Sequence, residues 1–262
     1  MLVLSLYWTV LASQHISTAN IKGDATQNLD IAVNLYQHGV FSLHVAGDLT
    51  PTALREPLPI FITALYLMVS GRAADQLTKP ILRTGEPARF VKMHNTAWVF
   101  LGLMATWLLF NELTATQWGG GVAGWTAFLF FFNNPYALDT LYTELATAVL
   151  LLVVSGLLLL ACRRPSKKLW LAIGVGMGLL SLTKSAFLYI GVVTVLLMWV
   201  ALMFHRRVHD RPWLAAGLMA LGLALTTVPW MIRNHLLFDS PQISVGRSGW
   251  VLYKRALINQ VT

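Results

Sequence analysis

Uncharged apolar runs recur along the chain at lengths close to those that cross a lipid bilayer, separated by short polar stretches. A bilayer core of about 30 Å takes roughly 20 apolar residues per helix. The runs are Met93 to Phe110, Gly119 to Phe132, Leu138 to Ala161, Leu169 to Leu182, Ser185 to Phe204 and Trp213 to Ile232, besides an N-terminal run from Met1 to Ala12. Hydropathy therefore predicts about seven transmembrane helices. Backbone groups in lipid must bond internally, and these Leu, Ala, Val and Gly runs lack the strict alternation of barrel strands. The predicted fold class is all-α, a polytopic membrane protein.

Two shorter stretches lie between the first run and Lys92. Leu29, Ala32, Val33, Tyr36 and Val40 recur at helical spacing opposite Asp30, Asn34 and Gln37, and Gly39 is a helix stop. This pattern predicts a juxtamembrane helix lying on the membrane surface. Pro57 to Ser70 is apolar, but about 14 residues rise only about 21 Å as a helix, so it reads as interfacial. The N-terminal run has no basic flank. It is either the end of a helix begun upstream or a signal-peptide core with Val10-Leu11-Ala12 as a weak cleavage site, and both readings put the segment after Ala12 outside the cytoplasm.

Loop charge orients the rest. Arg163, Arg164, Lys167 and Lys168 come after one run, and Arg206, Arg207 and Arg211 after another, which makes both loops cytoplasmic by the positive-inside rule. Residues 13–92 then form the first outer loop, 93–232 the further spans and 233–262 an outer segment, in the cytoplasmic (inner) membrane with the site facing the periplasm or exterior. Arg72, Lys79, Arg83, Arg89 and Lys92 resist this tracing, because the rule would prefer them inside. Composition agrees with a lipid solvent: 56% of residues are hydrophobic, 11% are charged and the mean hydropathy is +0.62. The net charge of +8 does not mark a nucleic-acid binder, since the basic residues sit in short loops where topology and anionic membrane lipid explain them. Cys162 is the sole cysteine, so no internal disulfide and no cysteine metal cluster form.

Polar residues that could carry chemistry cluster at the predicted outer ends. Asp24 precedes the amphipathic helix, either as an N-cap forming a capping box with Gln27 or as a carboxylate general base at the bilayer surface. Arg55-Glu56-Pro57 opens the interfacial run, where Arg55 either snorkels to the interface or binds a lipid phosphate. Glu144 lies inside a long apolar run, where an acid costs roughly 2.5 to 3.5 kcal/mol at mid-helix, so it faces a polar cavity or pairs with a neighbouring helix. Thr183-Lys184-Ser185 separates two runs, and Pro229-Trp230-Met231-Ile232-Arg233-Asn234 closes the last. Taken singly these are snorkelling cations and an aromatic belt. Jointly, Asp24, Arg55, Glu144, Lys184 and Arg233 on one membrane face suit a phosphate-bearing lipid and a polar acceptor. His205 and His209 have a metal-ligand spacing, but Arg206, Arg207 and Arg211 surround them and no metal site is expected. Gly174 and Gly178 form a small-xxx-small packing face, and Gly119-Gly120-Gly121 reads the same way.

At these residues the sequence resembles the GT-C superfamily of polyprenyl-phosphate-sugar glycosyltransferases, near the protein O-mannosyltransferase and aminoarabinose transferase families. Gly23-Asp24, Ile31-Ala32-Val33-Asn34-Leu35 and His38-Gly39-Val40-Phe41-Ser42 resemble the first outer loop with its catalytic aspartate and juxtamembrane helix. Arg55-Glu56-Pro57-Leu58-Pro59 resembles the next Arg-x-Pro segment, and Tyr142-Thr143-Glu144 sits where members carry an acid. Gly178-Leu179-Leu180-Ser181-Leu182-Thr183-Lys184 resembles a Gly-to-Thr-Lys/Arg element, and the segment from Pro229 to Asn234 resembles a Pro-Trp-x-x-Arg-Asn signature. Members usually continue through further spans or an outer domain, whereas this chain ends about 30 residues past its last run, so the resemblance is to the N-terminal conserved module.

The resemblance implies inverting transfer of a sugar from a polyprenyl-phosphate donor to a hydroxyl of a lipid, glycan or protein acceptor. It implies Asp24 as catalytic base, Arg55, Lys184 and Arg233 as the cations that hold the donor phosphate, and Glu56, Glu144 and Asn234 as cavity or substrate-contacting residues. No cofactor is called for by any ligand motif, although a divalent cation is compatible with the chemistry. Two other readings remain open: a carrier or flippase of a lipid-linked substrate, and an inactive relative whose spans only fold.

Overall fold

The computed structural model describes residues 2–44, 49–71, 78–114, 118, 121–122, 124–126, 138–204 and 212–244. The expected Gly119 to Phe132 run lies largely outside these residues. Arg72, His205, Arg206, Arg207, His209, Arg211 and the segment beyond Ser244 lie wholly outside them. The described chain is helical without strands: α1 (Leu2–Ser13), α2 (Asp24–His38), α3 (Pro57–Val69), α4 (Lys79–Leu82), α5 (Gly85–Lys92), α6 (Asn95–Thr114), α7 (Glu144–Arg163), α8 (Lys167–Thr183), α9 (Ala186–Phe204) and α10 (Pro212–Phe238).

Among the described residues, four helical stretches are long and apolar enough to cross a membrane: Gly85–Thr114, which joins α5 and α6, then α7, α9 and α10. Hydropathy counts seven runs; of the other three, Gly119 to Phe132 lies largely outside the described residues, and two fall short in length. Helix α1 has 12 residues and α8 has 17, rising about 18 and 26 Å respectively. Helix α3, with 13 residues, rises about 20 Å, in keeping with an element too short to span.

Helix α8 is the centre of the bundle. Trp170, Ile173, Met177 and Leu180 pack against Leu150 and Val154 of α7 and against Ala215, Met219 and Leu223 of α10. The α8–α10 contact brings backbone against backbone. A Cβ on Gly174 would lie 2.1 Å from the Met219 carbonyl oxygen, one on Gly178 1.6 Å from Thr226 Oγ1, and one on Gly222 2.5 Å from the Leu171 carbonyl oxygen. The small-residue face read from Gly174 and Gly178 is thus half of a seam that Gly222 completes from the other helix. Helix α6 packs with α1 and α7 through Val99, Leu103, Trp107, Leu145 and Val149.

Helix α2 departs from its expected role. Its apolar residues Leu29, Ile31, Ala32 and Val33 are buried, but so are Asn28, Asp30 and Asn34, which a helix lying on a membrane would leave in water. Protein partners replace that water. Asp30 takes a two-pronged contact from Arg83 Nη2 at 2.7 and 2.6 Å, and Asn34 Nδ2 donates to the Ser42 and His44 carbonyls. Gly39 ends the helix as expected, at φ 69° with its N–H on the Leu35 carbonyl.

The short α7–α8 and α8–α9 connections give the bundle two polar ends. At one lie Arg163, paired with Glu112 at 3.2 Å, and the cations that come after it. At the other lie the starts of α7 and α9 and the ends of α8 and α10. This second end also receives three of the five cations that resisted the topology, Lys79, Arg83 and Lys92. Lys92 Nζ meets Asp139 at 2.6 Å and the Ala19 carbonyl at 3.0 Å, Arg83 meets Asp30, and Lys79 donates to the His44 carbonyl at 3.0 Å. These charges are bound within the protein rather than offered to lipid headgroups, so they weigh little in a loop-charge count.

The packing makes two predictions. Gly174→Leu or Gly222→Leu overpacks the α8–α10 seam and lowers stability by about 1–3 kcal/mol, whereas Gly217→Ala, which meets open space, is neutral or stabilising; thermal unfolding in detergent compares them. Lys92→Met leaves the half-buried Asp139 carboxylate without its cation and costs about 3 kcal/mol, and Lys92→Met with Asp139→Leu recovers much of that loss. A double-mutant cycle showing simple additivity would contradict the coupling.

Candidate active site

Gly23, at φ 60°, turns the chain into α2 and leaves Asp24 as its first helical residue. The capping box therefore does not form: Gly23 holds the N-cap position without a side-chain cap, and both would-be capping side chains go elsewhere. Asp24 Oδ1 pairs with Arg55 Nη2 at 2.7 Å, and Gln27 Oε1 accepts from Arg55 Nε at 3.0 Å and Nη2 at 2.6 Å. The Arg55 side chain is only 7% exposed and Asp24 is 47% exposed, so a sequestered guanidinium holds an open carboxylate. Arg55 does not snorkel.

Glu56 occupies the N-cap position of α3 with extended backbone, and Pro57 begins the helix. Its Oε1 lies 3.4 Å from Ser244 Oγ, which in turn lies 3.3 Å from Ser185 Oγ. Beside Ser185, Lys184 caps α8 and its Nζ reaches Glu144 Oε1 at 3.0 Å. Glu144 is the first residue of α7, not a mid-helix acid: the expected span from Leu138 starts late, and the carboxylate is 61% exposed at a helix N-terminus that favours negative charge. Two residues before Glu144, Tyr142 approaches Gly23: its Oη lies 3.7 Å from the position a Cβ there would take.

Arg233 joins from α10. It donates to the Thr52 carbonyl at 3.2 Å and Asn234 Oδ1 at 2.8 Å, and its guanidinium carbon stands 4.4 Å from the Trp230 ring and 5.4 Å from Phe41. Among the described residues no carboxylate pairs with it. Asn234 is fully buried and spends its Nδ2 on the Gln242 and Ile243 carbonyls, and Trp230 Nε1 also donates to Ile243. Asn234 thus folds the chain after α10 back so that Ser244 reaches Glu56. That is a positioning task, where the sequence suggested a substrate contact.

The structure brings Asp24, Arg55, Glu56, Glu144, Lys184, Arg233 and Asn234 to one end of the bundle. Sequence reasoning did not foresee Gln27 as an arginine ligand, nor Thr52, Ser185 and Ser244 as links, nor the ion pairs of Asp30 and Asp139. None has a local signal, because each partner lies far along the chain. Burial holds the Lys79 ammonium below its usual value, a shift that Asp30 opposes and Arg83 reinforces. Among the described residues no group of three or more His, Cys, Asp or Glu side chains gathers as a metal site.

No family model matches the chain, and no curated protein matches it.

The arrangement makes a labelling prediction. Cys162 is exposed at the end of the bundle opposite Ser244. Native Cys162, and Ser244→Cys in a Cys162→Ser background, should react with a membrane-impermeant maleimide from opposite sides of sealed vesicles; labelling from the same side would contradict the two-ended bundle.

Proposed function

We propose that the chain is a membrane glycosyltransferase module that moves a sugar from a polyprenyl-phosphate donor to an acceptor hydroxyl at the outer face of the cytoplasmic membrane. The observation that carries this reading is the gathering of Asp24 with Arg55, Glu56 with Ser244 and Ser185, and Lys184 with Glu144, with Arg233 donating to Thr52, at one end of a bundle containing helices able to cross a bilayer. The family resemblance of the same segments supports it. So does the position of Arg163, Arg164, Lys167 and Lys168 at the opposite end, which favours an outer location for these residues by the positive-inside rule.

In this mechanism the acceptor oxygen attacks the anomeric carbon as Asp24 takes its proton, and the bond from that carbon to the phosphate oxygen breaks. One displacement inverts the anomeric centre. The lipid phosphate leaves as an anion and needs no proton, so fixed positive charge is the help it requires. Arg233 is the best-placed cation for this task, since Arg55 and Lys184 already face Asp24 and Glu144. Arg55 orients the Asp24 carboxylate, and Lys184 reaches phosphate by exchanging one exposed anion for another. Glu56 and Glu144 line the mouth and meet sugar hydroxyls.

The deciding experiment is transfer of labelled sugar from polyprenyl phosphate in vesicles. Asp24→Asn should lower the rate by at least about a hundredfold while inserting normally, the usual scale for a lost general base. Full activity would remove Asp24 from the chemistry, and movement of labelled lipid across the bilayer without sugar transfer would favour a carrier.

A further inference from the structure

A narrow cavity opens one helical turn along α2 from Asp24, with room for about one water-sized group. Asn28, Thr63, His94, Asn95, Trp98 and Tyr142 line it. The donors of Asn28, Asn95 and Thr63 are committed to backbone carbonyls, whereas Trp98 and Tyr142 each bring a further donor, an indole N–H and a phenol O–H. Asn95 Nδ2 serves both Leu138 and Thr140 at 2.8 Å, and Asn28 Nδ2 serves Leu141 at 2.9 Å, which fixes both amides and leaves their Oδ1 atoms as acceptors. Thr63 Oγ1 donates to the Pro59 carbonyl at 3.0 Å. His94 Nδ1 lies 2.6 Å from the Val91 carbonyl, an atom that can only accept, so Nδ1 carries the proton and Nε2 of the neutral ring is an acceptor. Nε2 faces Thr63 Oγ1 at 3.4 Å, whose proton is already directed to Pro59.

The lining thus offers acceptors at His94 and Thr63 together with the donors of Trp98 and Tyr142. Such a cavity fits a small group that both donates and accepts, as a hydroxyl does. On the transferase reading, on which this inference rests, we infer that the His94 cavity is a subsite for one hydroxyl of the donor's sugar. The two chemistries of the donor are thereby separated: its phosphate goes to the cation at Arg233 and its sugar is anchored beside Asp24. Trp98 and Tyr142 add ring surface suited to the C–H groups of a sugar. His94 is then a specificity-determining residue that recognises the sugar, not a proton carrier in the reaction.

Native mass spectrometry of lipid co-purifying with the full chain tests this, using the ratio of sugar-bearing to bare polyprenyl phosphate. His94→Leu should lower that ratio about tenfold, the worth of one lost hydrogen bond, without reducing total bound lipid. His94→Gln, which restores an acceptor, should hold it within about threefold, and Arg233→Gln should lose both lipids. Thr63→Val is the substitute if His94→Leu fails to fold, and the same fall is expected. An unchanged ratio in the leucine and valine variants, or only bare lipid on the native protein, overturns the subsite and leaves the transferase proposal standing. Absence of any polyprenyl phosphate from the native protein overturns both.

Discussion

The polar end of this bundle depends on the neutralisation of buried positive charge. Lys92 is 1% exposed and Arg55 7%, and an ion so far from water is tolerated only with a partner of opposite charge and further hydrogen bonds. Asp139 and the Ala19 carbonyl satisfy Lys92, and Asp24 and Gln27 satisfy Arg55. Each bond joins segments that are remote along the chain. Lys92 draws α5, the connection after α1 and the approach to α7 together, because Ser17 also binds Asp139. Arg55 ties the entry of α3 to the start of α2. Since a mispaired arrangement would strand a buried charge, these contacts select one geometry for the whole end.

The bundle beneath supplies the positions of the helix ends. Glycine-to-backbone approach along α8 and α10 sets their separation, and the short turns on either side of α8 fix where its neighbours begin. The first residue of α7 and the cap of α8 therefore face each other, and Glu144 meets Lys184. Aromatic packing of Phe41, Phe61 and Trp230 does the same for α3 and α10, with ring centroids 4.9 to 6.0 Å apart. Among the candidate spans α9 is the least buried, and its residues Tyr189, Ile190, Val193 and Leu197 are exposed.

Charge is unevenly committed within the site. Arg55 and Lys184 are already matched with carboxylates, while Arg233 is held by ring faces, a backbone carbonyl and an amide oxygen, none of which cancels its charge. The His94 cavity lies between α2, α3, α6 and the start of α7, and its lining offers both hydrogen-bond donors and acceptors.

Hydropathy alone determined that the chain is helical and rich in membrane-length apolar runs, because the cost of an unpaired backbone in lipid leaves little choice. Loop charge and hydropathy also lead to the expectation that Asp24, Arg55, Glu144, Lys184 and Arg233 share a side, and the structure gathers them at one end of the bundle. Local pattern could not decide what each residue binds. Asp24 and Gln27 match a capping box in sequence, yet an arginine 28 residues beyond Gln27 takes both, as a buried guanidinium offers stronger contacts than a helix end. Asp30 and Asn34 read as a wetted face until Arg83 and two loop carbonyls enclose them. Asn95 and His94 give no sign of the cavity, which exists only where α2, α3, α6 and the start of α7 converge. These features are long-range pairings of polar groups removed from water, and only the tertiary fold could settle them.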